Sequence, residues 1–214
     1  MAEEETPGFK SGFVSLIGRP NVGKSTLLNC LLGEKIAIVS PKPQTTRNRI
    51  LGIKNLPAAQ IIFLDTPGIH RSKDMLNQSM VRTALATLRE VDVICLLIEA
   101  DSPDHEENDW ILENLQKVQK PVLLAINKID RIPKPQILPA IDAYRQLMDF
   151  AAIVPISALK GENVDALTKQ LIELLPESEP LYPEDFLTDQ PERFFVAEMI
   201  REKILHHTRE EIPY

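Results

Sequence analysis

Gly18-Arg19-Pro20-Asn21-Val22-Gly23-Lys24-Ser25 follows the apolar run Phe13-Val14-Ser15-Leu16-Ile17 and passes directly into Thr26-Leu27-Leu28-Asn29-Cys30-Leu31-Leu32. A glycine-bearing loop that ends in Gly-Lys-Ser, between a strand pattern and a helix pattern, is the arrangement a phosphate-binding loop requires. Gly18 and Gly23 allow backbone angles that a Cβ forbids, so consecutive N–H groups can turn inward around phosphate oxygens. The N-terminus of the following helix adds partial positive charge at the same place. Lys24 would reach the β- and γ-phosphates and the Ser25 hydroxyl would ligate Mg²⁺, with Arg19, Pro20, Asn21, Val22 and Thr26 completing the cradle. The bare pattern arises by chance in roughly one chain in a hundred of this length. A plain turn between strand and helix is therefore the weaker reading, and a nucleoside triphosphate is the implied ligand.

Outward from this loop the chain alternates. Residues 1–11 lack an apolar pattern and read as a flexible tail. Residues 36–39 are apolar, but Pro41, Pro43 and a polar cluster make the second half of 36–49 a loop. Residues 50–53 and 60–64 read as adjacent strands joined by a hairpin-like turn at 54–57. Helical spacing covers 74–89, and 91–98 is a nearly continuous apolar run, as expected for a strand buried on both faces. A helix over 103–119, a strand at 121–126, a helix near 135–150, a strand at 152–156 and a helix over 164–175 follow. The expected fold is α/β: a six-stranded, mostly parallel sheet with helices on both faces, occupying residues 12–175. Residues 176–190 are proline-rich and acidic, a semi-extended linker. Pro191 then opens an amphipathic helix with apolar residues at Phe195, Val196, Met199, Ile200, Ile204 and Leu205. One helix cannot bury its own apolar face. It must dock on the first domain, pair with another chain, or belong to a further domain.

Composition narrows the function classes. Hydrophobic residues make up 43% and charged residues 26% of the 214-residue chain, the proportions of an ordinary globular protein. No apolar run reaches membrane-span length, and Met1-Ala2-Glu3-Glu4-Glu5 is acidic where a signal peptide would be basic. Cys30 and Cys95 both lie within apolar runs and read as reduced core residues, which makes a cytoplasmic location without disulfides the expectation. The net charge of −7 divides into +4 over residues 1–60 and −11 over the remainder. A locally basic nucleotide end fits a polyanionic ligand, and overall acidity disfavours unspecific nucleic-acid binding.

In an open parallel sheet, ligands sit at the carboxyl ends of the strands. Four polar signals fall at those ends. The phosphate loop is one. In Asp65-Thr66-Pro67-Gly68, Asp65 can hold Mg²⁺ through water, and the Gly68 N–H can approach the γ-phosphate with no side chain intervening. In Asn127-Lys128-Ile129-Asp130, the Asp130 carboxylate can accept two N–H bonds from the Watson–Crick edge of guanine, where adenine offers no equivalent. Asn127 and the Lys128 stem would hold the loop and cover the base. Ser157-Ala158-Leu159 can present a backbone N–H to guanine O6. Together these favour GTP and GDP over ATP.

With these residues in view, 12–175 resembles a translation-factor-type P-loop GTPase. Gly-Arg-Pro-Asn-Val-Gly-Lys-Ser, Pro43-Gln44-Thr45-Thr46-Arg47-Asn48-Arg49-Ile50 and Asp-Thr-Pro-Gly-Ile69-His70 resemble the Era family of ribosome-assembly GTPases. Residues 192–198 and 210–214 are similar to the start of that family's C-terminal KH domain, so 191–214 would be the first helix of an incomplete KH-type domain. The resemblance implies that Thr46, preferred over Thr45, is the switch threonine meeting Mg²⁺ and the γ-phosphate, and that Lys24, Thr46 and Gly68 serve catalysis. It implies K⁺ at Asn21, which matches an asparagine of potassium-activated relatives. Its further implications are small-subunit ribosomal RNA as partner, peripheral association with the inner face of the cell membrane, and a monomer. A KH domain clamps RNA with a Gly-x-x-Gly loop. Gly161 is the last glycine here, so this chain is expected to lack the RNA-reading loop and to carry its last helix as an isolated element.

Where many GTPases place a water-orienting glutamine, this chain has Ile69, whose alkyl group cannot position a nucleophile. Slow hydrolysis is expected, with segments 36–49 and 66–80 ordering and disordering with the γ-phosphate. His70 reads as a solvent-facing switch residue. The competing reading is a nucleotide-sensing module whose occupancy, without hydrolysis, controls partner docking. An ATP-using relative would require Asp130 not to read the base.

Overall fold

The computed structural model describes residues 8–39, 49–65, 88–102 and 106–207. Six strands form one sheet: β1 (Lys10–Gly18), β2 (Ile50–Leu56), β3 (Ala59–Asp65), β4 (Val93–Glu99), β5 (Val122–Asn127) and β6 (Ala152–Pro155). Their order is β2-β3-β1-β4-β5-β6, with only the edge strand β2 antiparallel to its neighbour. This is the expected α/β architecture.

Side chains alternate across each strand with period two, and both faces are apolar. Val14, Leu16, Ile61, Phe63, Val93, Cys95, Leu97, Leu123 and Ala125 face one way. There they meet Leu27, Leu28 and Leu31 of α1 (Lys24–Leu32) and Val164, Leu167 and Leu171 of α4 (Val164–Leu174). Ile17, Ile62, Leu64, Ile94, Leu96, Ile98, Leu124 and Ile126 face the other way. They are covered by Ile111, Leu112 and Leu115 of α2 (Glu106–Leu115) and by Tyr144 of α3 (Ile137–Arg145). The uninterrupted burial of β4 and β5 explains why they read as solid apolar runs.

Several boundaries differ from the sequence expectation. The hairpin strands run on through Leu56, leaving Pro57 and Ala58 as the turn, because Lys54, Asn55 and Leu56 still pair with Ile61, Gln60 and Ala59, and the Lys54 and Asn55 side chains find partners. Lys54 donates to the Leu31 carbonyl, and the Asn55 side chain donates to Glu184 O at 2.7 Å and accepts from Gln60 at 2.7 Å. The helices expected to reach 119 and 150 stop at Leu115 and Arg145. Residues 10 and 11, read as tail, belong to β1: Ser11 is buried, and its N–H donates to Pro176 O at 3.2 Å. The helix expected over 74–89 lies outside the described residues.

The acidic linker is a strap laid along the sheet. Gln60 is buried; its side-chain carbonyl accepts the N–H groups of Leu181 and Tyr182 at 2.7 and 2.9 Å, and its amide donates to Tyr182 O at 2.8 Å. Further along, Ile53 N–H donates to Leu187 O at 2.8 Å, so the strap covers part of the edge strand β2. Tyr182 and Phe186 stack with ring centroids 5.5 Å apart.

The final helix α5 (Glu192–His207) is not isolated, which corrects that expectation. Phe194 and Phe195 pack against the core, and the buried Glu202 accepts the Val39 N–H at 3.1 Å and pairs with Lys35 at 2.5 Å. Of the stripe read from the sequence, Val196, Met199, Ile200 and Ile204 stay exposed while Phe195 docks. Among the described residues no helix is long and apolar enough to cross a membrane.

Candidate functional site

β1 lies between β3 and β4, so the chain leaves it toward one side of the sheet and later returns to the other. That reversal opens a crevice at the carboxyl ends of the parallel strands. Gly18, Asp65, Glu99 and Asn127 close β1, β3, β4 and β5 at this edge.

The phosphate loop wraps the N-terminus of α1. Asn21 and Gly23 have positive φ, 62° and 106°, and Gly18 has φ 148°. At Gly23 the backbone is approached closely: a Cβ there would lie 2.3 Å from Asn127 Nδ2. Lys24 is buried and donates to the carbonyls of Gly18 at 3.1 Å and Arg19 at 2.9 Å. Burial brings its ammonium pKa down to about 8, against the opposing pull of Asp65. The Ser25 hydroxyl donates to Asp65 Oδ2 at 2.9 Å. A hydroxyl and one carboxylate placed together suit Mg²⁺, a hard ion that takes few protein oxygens and fills its octahedron with water and phosphate.

The base end of the crevice is a pocket of about 340 Å³, bounded by Asn21, Gly23, Thr26 and Val39 on one side and by Asn127, Lys128, Asp130, Arg131, Ala158 and Leu159 on the other. Asn127 is buried and acts as a brace: its amide donates to Val22 O at 2.8 Å and its oxygen accepts the Ala158 N–H at 2.9 Å. Ser157 donates to Asp130 Oδ1 at 2.6 Å and its Oγ accepts the Lys160 N–H at 3.2 Å. Lys128, held at φ 65°, donates to Asn21 O at 2.8 Å and to Glu99.

The structure thus gathers Gly18 through Thr26, Asp65, Asn127, Lys128, Asp130 and 157–159 around one crevice. Pro20 and Val22 belong to the loop backbone, with Val22 fully buried. Thr46 and its alternative Thr45, with Thr66, Pro67, Gly68, Ile69 and His70, lie outside the described residues. Sequence reasoning missed Glu99, although an acid ending an apolar strand run was the same signal used for Asp65. It also missed Asn29, whose side chain accepts the N–H groups of Ile36 and Ala37 at 3.0 and 2.9 Å and donates to Ala37 O at 2.7 Å, shaping the segment that ends at Val39. Cys95 is buried, with its thiol pushed up to about 12; Cys30 is half-buried and also raised, chiefly by desolvation.

Residues 13–128 match the family of 50S ribosome-binding GTPases. The GTPase Era of Geotalea uraniireducens (strain Rf4) is 57% identical over 206 residues, which span 96% of this chain and 69% of that relative. The chain belongs to the Era family of GTPases. Era of Geotalea daltonii is 54% identical across the whole chain and 71% of its own length. A crystal structure of Era in complex with MgGDPNP and nucleotides 1506–1542 of 16S ribosomal RNA superimposes with a TM-score of 0.92 at 51% identity, over 96% of this chain and 70% of that one. As an Era-family member the chain is a GTP-binding molecular switch that hydrolyses GTP on the P-loop GTPase fold.

Proposed function

We propose that this GTPase acts in assembly of the small ribosomal subunit, with 16S ribosomal RNA as partner, and that the crevice described above is its GTP site. The observation that carries the site assignment is the shared edge: phosphate-cradling backbone, a Ser–Asp oxygen pair and a carboxylate poised for a base converge within one crevice. Lys24 and the phosphate-loop N–H groups hold the β- and γ-phosphates. Ser25 and Asp65, joined by Thr46, hold Mg²⁺, which when bound neutralises charge developing on the transferred phosphoryl group. Asp130, oriented by Ser157, accepts from guanine N1–H and N2–H₂. Thr66, Pro67 and Gly68 would serve the γ-phosphate, and Ala158 and Leu159 border the pocket for the base.

Hydrolysis runs slowly because Ile69 replaces a water-orienting glutamine. The work would fall to Mg²⁺, Lys24 and backbone donors, and Asn21 is the residue that would hold K⁺. The GTP-binding domain runs from β1 through residue 175, 176–190 form the connection, and α5 (Glu192–His207) is the first helix of a KH-type RNA-binding domain. Ribosomal RNA is supported as partner by the Era complex, at 51% identity. The family resemblance supports a cytoplasmic monomer that associates peripherally with the inner face of the membrane.

Multiple-turnover GTP hydrolysis with Mg²⁺, in KCl and in NaCl, tests the catalytic part. Slow turnover that is faster in KCl is expected. Turnover equal in both salts would remove K⁺ from Asn21. Turnover absent in both would favour the reading in which GTP occupancy alone controls docking, which Ile69 keeps physically reasonable.

A further inference from the structure

We infer that Glu99 is a positioning residue for guanine-nucleotide binding, its carboxylate tying the phosphate loop to the base-reading loop. The inference rests on the proposed reading of the crevice as the GTP site. Glu99 closes β4 directly opposite Asn127 in register, and the neighbouring Ala100 N–H donates to Asn127 O at 2.8 Å. Its side chain, 16% exposed, reaches in two directions. One oxygen accepts Lys128 Nζ; the other lies 3.5 Å from Arg19 Nη2.

Both cations belong to nucleotide-facing loops. The carbonyl of Arg19 accepts Lys24 Nζ, and the Lys128 ammonium also donates to Asn21 O. The contacts therefore close a ring that runs from the phosphate loop through Glu99 to the base loop and back. Lys128 has a long flexible stem and a left-handed backbone that an L-residue rarely adopts. Two anchors on its ammonium fix that side chain, which lines the base pocket. A charged acceptor is essential for this role, because one group must satisfy two partly buried cations at once. A neutral amide of the same shape would turn a donor NH₂ toward one of them.

The test is dissociation of mant-GDP from the full chain, alongside GTP turnover, for wild type, Glu99→Gln and Glu99→Asp. Glu99→Gln should release mant-GDP about tenfold faster. Its kcat at saturating GTP should stay within about twofold of wild type, because Glu99 acts on grip. Glu99→Asp keeps the charge, and the Lys128 stem can follow it, so release should stay within about threefold of wild type. A purely structural role would instead lower both variants together and shift the melting temperature of the nucleotide-free protein. Wild-type release from Glu99→Gln, equal defects in the two variants, or a parallel fall in kcat would overturn the inference alone. A wild-type protein that does not hold mant-GDP would overturn the site reading, and the inference with it.

Discussion

At the scale of single residues, the crevice depends on a few atoms that leave no room for substitution. Gly23→Ala would push a methyl into Asn127 Nδ2 at a φ of 106°. Backbone strain alone should cost about 1–3 kcal/mol, so urea melts should show a loss at least that large together with weakened GDP binding. Lys24 sets a pH dependence. Its folded pKa, about 8, lies below the ordinary 10.5, so from about 8 to 10.5 the unfolded chain binds more protons than the folded one. Stability of the nucleotide-free protein therefore rises with pH across that window. Phosphate charge beside Lys24 reverses the shift, so GDP binding near pH 9 should take up close to one proton and near pH 7 almost none. Calorimetry in two buffers of different ionisation enthalpy reads this directly; equal uptake at both pH values would mean that Lys24 does not meet the phosphates. Gly18 and Lys24 were legible from the spacing of the phosphate loop, and Asp65 and Asp130 because polar residues follow apolar strand runs. The sequence reads Asn127 as holding its loop, but its partners were not legible, since Val22 and Ala158 stand far from it in the chain and contribute only backbone atoms.

At the scale of elements, the strap and α5 show where periodicity falls short. The sequence of 176–190 is proline-rich and acidic, and nothing in its spacing announces that Gln60 will take three of its hydrogen bonds. The α5 pattern included Phe195 but not the rest of the docked side, Phe194 and the buried Glu202 carboxylate. Glu202 grips Val39, the residue that borders the base pocket and leads toward residues 40–48. Glu202→Ala leaves the Val39 N–H without this acceptor and should destabilise the docked helix by about 1–3 kcal/mol. Limited trypsin digestion checks it: cuts within 192–207 should appear sooner, with the sheet region still intact. Unchanged digestion would mean that Phe194 and Phe195 hold the helix unaided. The helix ends at Leu115 and Arg145 were misjudged because apolar residues beyond them, such as Val118 and Met148, pack from turns as well as from helix.

At the scale of the whole molecule, the sheet order turns separate signals into one site. Five parallel strands place their carboxyl ends along a single edge, and the reversal at β1 opens that edge into a crevice. The α/β class, the strand count and the strand-end location were all legible from alternating strand and helix patterns, because buried parallel strands leave so plain an apolar trace. On the proposed reading of the crevice, this edge selects a guanine nucleotide through Asp130. Competitive binding of GDP and XDP to wild type and Asp130→Asn measures it most directly. An amide accepts where guanine requires two acceptors but can donate to the second carbonyl of xanthine, so the variant should lose GDP affinity and prefer XDP. A variant that still prefers GDP as wild type does would contradict the claim.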